Sequence, residues 1–276
     1  MEKFQLSLLF KIIGIGSASG LVYHEDKIYI ISDNSTFLYE YSIPTENLNK
    51  IALVENAQDN IVKKDKPDFE AIALKGTDLV LLGSGSTENR NMIFNYAIPT
   101  GKIQKNNIGV IYQKIKQEFA ISDDELNIEG LIMDNNQIYF FQRGNGLKGK
   151  NAVIFSKDTP QNQQFEYVSI DLPTIKNITA TFTDAILVED KIYFLASAED
   201  TASTYLDGEV LGSIIGRMDA KTLKVEFTQE ISNTNKFEGL TLYKQSEKEI
   251  EFLLCEDTDS EILESNIYKL VLDKTK

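Results

Sequence analysis

Four acidic residues recur in one local pattern along the chain. Each precedes a small residue and then leucine or isoleucine, in the segments "FEAI", "IEGL", "TDAI" and "FEGL". They are Glu70, Glu129, Asp184 and Glu238, and Ser19 takes the same place in the weaker segment "ASGL". Successive positions are 51, 59, 55 and 54 residues apart. Because equivalent residues of a repeat point the same way, we expect these side chains to converge.

Converging carboxylates repel one another and lose hydration, so they must take up protons or bind a cation. Oxygen ligands without histidine or cysteine favour Ca²⁺ or Mg²⁺ over zinc or copper. Ca²⁺ is expected first, with Mg²⁺ second, because Ca²⁺ accepts flexible oxygen coordination. The predicted ligands are Ser19, Glu70, Glu129, Asp184 and Glu238. The alternatives are that these side chains cap neighbouring backbone N–H groups, or that the assumed register of the repeats is in error.

The elements that must position these residues follow from the rest of each repeat. A short polar turn leads to a second apolar stretch, such as "KIYIIS" or "QIYFFQ", and then to alternating stretches such as "FLYEYSI". Four short strands in a repeated unit of this length predict an all-β, five-bladed β-propeller with four antiparallel strands per blade. A β-sandwich or two smaller sheets is the competing architecture.

The two ends of the chain complement each other. The last repeat stops after its third strand, while the unmatched segment "FQLSLLFKI" precedes the first repeat. We therefore expect the N-terminal strand to join the last blade and close the ring, which pairs two exposed edges. This predicts a single domain over 1–276. Little helix is expected, with one turn within 117–126, and "NIGVIYQ" at 107–113 is predicted as the fourth strand of its blade.

Composition narrows the class of partner. The chain has 28 basic and 42 acidic residues and a net charge of −14, which argues against nucleic acid and anionic membranes as partners. No stretch approaches the roughly 20 apolar residues that cross a bilayer. The alternation of Phe4, Leu6 and Leu8 indicates a strand rather than a secretory signal. We expect a soluble monomer, with the compartment open and the cytoplasm slightly favoured.

Long polar loops, the longest of them at 197–213, are expected over the mouth of the propeller that holds the acidic residues. The residues predicted to bind a small-molecule or phosphorylated ligand there are Asp33, Arg90, Arg143, Lys148, Glu199 and Asp257. Arg143 opens the segment "RGNGLKGK", whose glycines expose N–H groups, and its guanidinium can bind an anion through two donors. A hairpin with solvated charges is the alternative. The single histidine, His24, lies in a turn on the other face, which leaves no Ser–His–Asp set.

The order Ser, Glu, Glu, Asp, Glu resembles the calcium-activated nucleotidases, or soluble apyrases. "SGLVYHEDKIYIISDNST" at 19–36 is similar to that family's opening blade motif, and "KFEGLTLY" at 236–243 to its closing one. The resemblance implies a five-bladed propeller with Ca²⁺ in the central channel, and Ser19, Glu70, Glu129 and Glu238 as its ligands. Asp184 would replace a serine of the family.

The chain also departs from that family. It has no tryptophan and three arginines, Arg90, Arg143 and Arg217, whereas the nucleotidases bring several of both to the nucleotide. The strand starts also resemble those of calcium-binding phytase-like and esterase-like propellers, which have more blades. The resemblance therefore bears more on the fold and the metal than on the substrate.

Two functions of different class follow. The first is a Ca²⁺-dependent hydrolase of phosphoanhydride or phosphoester bonds, in which Glu129 or Asp184 takes a proton from water and Arg143 stabilises the leaving charge. The second is a non-catalytic propeller with a structural Ca²⁺ that binds a small ligand, glycan or protein through its long loops. A lactonase or other esterase is a third possibility.

Overall fold

The computed structural model describes residues 4–134, 137–143, 150–157, 164–200, 208–258 and 262–274. Five four-stranded antiparallel sheets dominate it, together with one two-stranded hairpin. Within these ranges, no helix combines the length and the apolar character that crossing a membrane requires.

The elements in chain order are β1 (Phe4–Ile13), β2 (Ala18–His24), β3 (Lys27–Ser32), β4 (Phe37–Ser42), β5 (Asn47–Ala52), β6 (Phe69–Lys75), β7 (Asp78–Gly83), a 3₁₀ turn (Glu88–Arg90), β8 (Met92–Ala97), β9 (Lys102–Asn107), α1 (Gly109–Phe119), β10 (Ile128–Asp134), β11 (Gln137–Gln142), β12 (Ala152–Lys157), β13 (Phe165–Ser169), β14 (Thr174–Ile175), β15 (Ile178–Thr179), β16 (Thr181–Val188), β17 (Lys191–Asp200), β18 (Glu209–Asp219), β19 (Val225–Ser232), β20 (Lys236–Gln245), β21 (Glu249–Asp257) and β22 (Glu264–Asp273). Blades one to four are β2–β5, β6–β9, β10–β13 and β16–β19.

The fifth blade joins the two ends of the chain. Its order is β1-β22-β21-β20, and β1 pairs antiparallel with β22 from Phe4 opposite Leu272 to Ile13 opposite Glu264. The predicted five-bladed propeller, closed by the N-terminal strand, is therefore confirmed.

The apolar residues of the repeats hold neighbouring blades together. Buried side chains form five clusters, one at each blade-to-blade interface. Between the first two blades, for example, Phe69, Leu81 and Phe94 pack with Tyr29 and Leu38. Inner strands are buried on both faces, so they read as continuous apolar runs, whereas the outer strand β9 (KIQKNN) is mostly exposed and polar.

The segment 107–113, which the sequence predicted to be a strand, is a correction. The fourth strand of the second blade is β9, and α1 follows it from Gly109 to Phe119. Tyr112 and Ile115 lie on one helical face and are buried, and the Tyr112 hydroxyl donates to the Gly83 carbonyl oxygen at 2.7 Å. Three-residue spacing on a helix was thus mistaken for strand alternation, and most of the predicted helical turn at 117–126 lies beyond the end of α1.

The loop predicted over 197–213 is also shorter than expected. β17 continues to Asp200 and β18 begins at Glu209, so the two strands project beyond the neighbouring hairpins. This extension places Glu199 over the channel mouth, which is the end where the innermost strands begin.

Candidate metal centre

Every innermost strand carries a β-bulge just inside the channel mouth. The pairing with the second strand shifts by one residue in each blade, between the residues on either side of a single unpaired position. The bulged residues are Ser19, Glu70, Glu129, Thr183 and Glu238. Bulges aim a side chain out of the regular alternation, which here presents one side chain per blade at one depth. The residue that follows must be small, because a Cβ on Gly239 would lie 2.5 Å from side-chain atoms of Leu21 and Cys255.

The fourth blade corrects the sequence alignment. Asp184 pairs opposite Leu195, as Gly20 pairs opposite Ile31, so Asp184 occupies the place of the small residue and Thr183 is the true equivalent of Ser19. Ser19 Oγ donates to the Phe69 carbonyl oxygen at 2.5 Å, and Thr183 Oγ1 donates to that of Phe237 at 2.7 Å. The two hydroxyls therefore do the same work, each tying its blade to the next.

Asp184 serves the backbone. Its Oδ1 accepts the N–H of Ala185 and its Oδ2 the N–H of Leu240, each at 2.7 Å, and the residue is 2% exposed. Burial raises the pKa of Asp184 well above its usual value, while the two N–H donors act against that rise. Because both oxygens are engaged, the geometry favours the capping alternative for this residue over the predicted ligand and proton-acceptor roles.

The three remaining bulged acids, Glu70, Glu129 and Glu238, are called here the channel glutamates. They are 9%, 3% and 4% exposed. Burial is the main cause that raises the pKa of each, and repulsion from neighbouring carboxylates adds to it. Nearby cations act against the rise for Glu129 and Glu238. Asn127 Nδ2 donates to Glu129 Oε1 at 2.5 Å, and Lys236 Nζ lies 2.9 Å from Glu238 Oε1. Glu70 makes no hydrogen bond or ion pair with any residue that the structure describes.

A second group of charges lies one step nearer the mouth. Asp68 precedes Glu70 by two residues and lies just before β6, where its backbone has a left-handed φ of 55°. Asp68 Oδ2 accepts from Ser84 Oγ at 2.5 Å and Arg90 NH1 at 2.8 Å, and Lys66 Nζ lies 2.8 Å from Asp68 Oδ1. Burial favours a higher pKa for Asp68, but Lys66 and Arg90 outweigh it and lower the pKa.

Asp33 completes this side of the mouth. It follows β3, and Lys66 donates to its Oδ2. Ligand oxygens of Asp33, Asp68 and Glu70 all lie within 4.8 Å of one another. Asp33 Oδ1 is buried and, among the described residues, has no hydrogen-bond partner. Burial, ahead of any neighbouring charge, raises the pKa of Asp33.

The opposite side of the mouth is an ion-pair network. Arg143 NH2 lies 2.6 Å from Glu199 Oε1, and Arg143 NH1 lies 3.6 Å from Glu129 Oε1. Lys236 Nζ lies 3.5 Å from Glu199 and 3.4 Å from Asp257. Burial opposes ionisation of Glu199, but Arg143 and Lys236 prevail and lower its pKa to about 2.

Most of the predicted ligand-binding residues take part in ion pairs at the mouth. Asp33, Arg90, Arg143, Glu199 and Asp257 do gather at the mouth. The two arginines, however, are engaged by carboxylates: Arg143 as above, and Arg90 by Asp68, with Arg90 NH2 also donating to the Lys63 carbonyl oxygen at 3.0 Å. Lys148 lies outside the described residues.

In the described part of the mouth, carboxylates outnumber cations. Seven carboxylates face four cationic side chains, so the group carries three net negative charges when all are ionised. They are Asp33, Asp68, Glu70, Glu129, Glu199, Glu238 and Asp257 against Lys66, Arg90, Arg143 and Lys236. One of the three lies on the side of Glu70, with Asp33 and Asp68 against Lys66 and Arg90, and the other two lie on the opposite side.

Sequence reasoning missed Lys66, Asp68, Lys236 and Thr183. Two of them had a usable signal, because Asp68 and Lys236 are charged residues two positions before a channel glutamate and therefore lie at the same end of the innermost strand. Thr183 is not acidic, so a pattern defined by acidic residues selects its neighbour Asp184 instead. Lys66 comes from an interblade loop, whose conformation has no periodic signal.

The residues present fit a hard divalent cation. Asp33, Asp68 and Glu70 offer carboxylate oxygens alone, the donor type that Ca²⁺ and Mg²⁺ prefer. A buried Glu70 without a partner and a buried Asp33 Oδ1 without a donor are costly unless a cation or a proton compensates them. Ser19, by contrast, uses its hydroxyl hydrogen for the Phe69 carbonyl.

Fold and site together define a five-bladed propeller with a buried, carboxylate-rich channel mouth. The chain belongs to DUF6929, a family of unknown function, whose profile matches residues 14–272. No curated protein matches the sequence significantly.

Solved structures share the fold. The major allergen Mala s 1 of Malassezia sympodialis aligns with a TM-score of 0.59 at 10% identity, covering 96% of each chain. Glutaminyl cyclase of Myxococcus xanthus aligns with a TM-score of 0.53 at 11% identity, covering 97% of each chain. A thermostable family-43 glycoside hydrolase aligns with a TM-score of 0.53 at 12% identity, covering 97% of this chain and 94% of the other. Propellers similar to this chain therefore include enzymes, and the similarity extends to the fold alone.

Proposed function

We propose that the protein is a divalent-cation-binding propeller whose channel mouth holds Ca²⁺, with Mg²⁺ second, on Asp33, Asp68 and Glu70. The observation that carries the proposal is Glu70, a carboxylate 9% exposed that pairs with no described residue yet faces the oxygens of Asp33 and Asp68 within 4.8 Å. An uncompensated buried carboxylate of this kind costs on the order of 3 kcal/mol at neutral pH, where protonation limits the cost. A cation at this place removes that cost.

The site leaves room for a ligand in the coordination shell. Ca²⁺ takes about 6 to 8 oxygen atoms, and three carboxylates supply only part of that number. The remaining positions would face the mouth, where water or the oxygens of a small anionic ligand complete the shell. The ion thus turns an acidic mouth into one that accepts a phosphoryl or carboxyl group.

A second candidate, hydrolysis of phosphoanhydride or phosphoester bonds, is favoured by the raised pKa of Glu129. A carboxyl group held closer to neutral pH can exchange protons with water or substrate. Ca²⁺ would supply polarisation of a phosphoryl oxygen and a water of lowered pKa. Asn127 orients Glu129 through its 2.5 Å hydrogen bond. Arg143 would first have to leave Glu199 before it could stabilise a leaving group.

The test is calorimetric titration of chelator-treated protein with Ca²⁺ and with Mg²⁺. We expect one saturable site that binds Ca²⁺ more tightly, is lost in Glu70→Gln, and persists in Glu118→Gln. Glu118 is exposed on α1, so that control removes the same charge far from the channel. Absence of saturable binding to the unmodified protein would refute the proposal.

Catalysis needs a separate assay. Phosphate release from nucleotides and phosphoesters, measured with and without Ca²⁺, should depend on Glu129 if the protein is a hydrolase. A Glu129→Gln variant that binds Ca²⁺ normally but no longer releases phosphate supports hydrolysis. Ca²⁺ binding with no turnover of any phosphoester would leave ligand binding as the function.

A further inference from the structure

Lys66 already places a positive charge in the proposed cation site. Its ammonium donates to Asp33 Oδ2 and lies 2.8 Å from Asp68 Oδ1, and the side chain is 13% exposed. These are two of the three carboxylates assigned above to the metal. An ammonium nitrogen at hydrogen-bond distance from both groups occupies space that a coordinated ion would need. Lys66 and a bound metal therefore exclude each other.

Lys66 lies two residues before Asp68, in the connection that leads into β6, whereas Asp33 belongs to the first blade. Asp33 follows β3 and Asp68 precedes β6, and the Asp68 N–H donates to the Asp33 carbonyl oxygen at 3.0 Å. Lys66 belongs to the connection between β5 and β6, where its carbonyl oxygen accepts from Asn89 Nδ2 at 2.9 Å. The four-carbon side chain of Lys66 is flexible, so its ammonium can leave the site without movement of β3 or β6.

Asp68 has partners that hold it in place when the ammonium leaves. Asp68 Oδ2 is held by Ser84 Oγ at 2.5 Å and by Arg90 NH1 at 2.8 Å, on the side of Asp68 away from Lys66. Departure of Lys66 frees Asp68 Oδ1 and Asp33 Oδ2, which then join Glu70 and the unpartnered Asp33 Oδ1. The exchange needs only one side chain to move.

We infer that Lys66 is a built-in competitor for the cation site and the residue that makes the site selective for divalent ions. This rests on the cation site proposed above. Exchange of the ammonium for Na⁺ or K⁺ replaces one positive charge with another and gains nothing against the excess of carboxylates. Exchange for Ca²⁺ adds one positive charge next to Glu70, which makes no ion pair with any described residue. Only a divalent ion therefore offsets the free energy lost when the Lys66 ion pairs break.

Binding of the ion also changes the charges that the mouth offers to a ligand. Lys66 is released beside the ion, where its ammonium can contact an anion held in the open coordination positions. The class of ligand expected is thus a compact anion with phosphoryl or carboxyl oxygens, bound after the metal. An anion would bind weakly to the metal-free mouth, because there the ammonium is neutralised by Asp33 and Asp68.

The direct test is lysine labelling of the unmodified protein with acetic anhydride, read by mass spectrometry. Without metal, we expect Lys66 to be protected relative to Lys64, which is exposed in the same loop. With saturating Ca²⁺, Lys66 should become reactive while Lys64 is unchanged, and Na⁺ at the same ionic strength should leave Lys66 protected. Protection that persists at saturating Ca²⁺ overturns the inference.

Substitution gives a second, independent readout. Lys66→Gln should bind Ca²⁺ more tightly, by about tenfold to a hundredfold, since charge-assisted hydrogen bonds of this kind no longer need to be broken. Ca²⁺ binding to the variant should also become sensitive to Na⁺, whereas Ca²⁺ binding to the unmodified protein should not. Lys64→Gln, with the same change of charge, should show neither effect.

The outcomes separate the two claims. No Ca²⁺ binding to either the unmodified protein or Lys66→Gln refutes the cation site itself. Ca²⁺ binding that is unchanged or weaker in Lys66→Gln refutes the competition alone. If Lys66→Gln does not fold, the labelling of the unmodified protein decides the inference.

Discussion

Replacement of Glu70 by glutamine should have opposite effects on stability with and without Ca²⁺. In the metal-free protein, Glu70 is a buried carboxylate whose pKa is raised well above 4.5 by burial first and then by neighbouring carboxylates. Glutamine keeps the shape and removes the charge. The metal-free variant should therefore be more stable than the unmodified protein at neutral pH.

The size of the gain is bounded by protonation. A carboxyl group that ionises near 4.5 in the unfolded chain can be protonated at pH 7 for about 3.4 kcal/mol, at about 1.36 kcal/mol per pH unit, so the gain cannot exceed that. We expect about 2 kcal/mol, because the glutamine amide must still find partners. For a chain of this length, that raises the melting temperature by roughly 3 to 4 °C.

With Ca²⁺ the order should reverse. At about 100 times its dissociation constant, Ca²⁺ stabilises the unmodified protein by about 2.7 kcal/mol, and Glu70→Gln should forfeit that gain. Thermal unfolding in chelator and in excess Ca²⁺ should thus give crossing stabilities, while Glu118→Gln follows the unmodified protein in both. A Glu70→Gln variant that is less stable in both conditions would refute the reasoning, since Glu70 would then act through a contact.

Three further predictions concern the surrounding charges. The three channel glutamates have raised pKa values, so above pH 4.5 the metal-free folded state binds more protons than the unfolded chain. The free energy of unfolding, measured in urea, should therefore fall from pH 5 to pH 8. Excess Ca²⁺ should reduce this pH dependence. Glu199→Gln leaves Arg143 and Lys236 without their shared carboxylate and should lower the free energy of unfolding by about 3 to 5 kcal/mol at pH 7. This loss should shrink as the pH falls from 4.5 towards 2. An equal loss at pH 7 and at pH 2 would contradict the ion pair. Asp184→Asn places an amide NH₂ against the backbone N–H of Ala185 or of Leu240 and should lower the free energy of unfolding by about 1 to 3 kcal/mol. Ca²⁺ affinity should stay unchanged. A large loss of affinity would indicate that Asp184 is a ligand.

The architecture was predictable because it repeats. Apolar second strands such as β7 and β11, with a glutamate and a small residue before them, recur often enough to count the blades, and the leftover strand β1 predicts closure of the ring. The channel glutamates were found for the same reason, since one residue per repeat shares one depth. The helix α1 escaped because it occurs in a single blade, where "NIGVIYQ" resembles the polar-apolar pattern of a strand.

The assignment of Asp184 and the composition of the cation site could not be read from the repeat. A bulge shifts register by one residue, and only backbone pairing distinguishes Thr183 from Asp184. Asp33 and Asp68 meet because two blades adjoin, and Lys66 joins them from a loop. Such contacts depend on tertiary packing, which local spacing does not encode.

The most direct measurement is a crystal structure of the protein grown with Ca²⁺, with data collected at a long wavelength where calcium scatters anomalously. We expect one anomalous peak bounded by Asp33, Asp68 and Glu70, with the Lys66 ammonium withdrawn from both aspartates. A map without a peak, or with its peak between Glu129 and Glu238 on the channel axis and Lys66 still in place, would contradict this expectation.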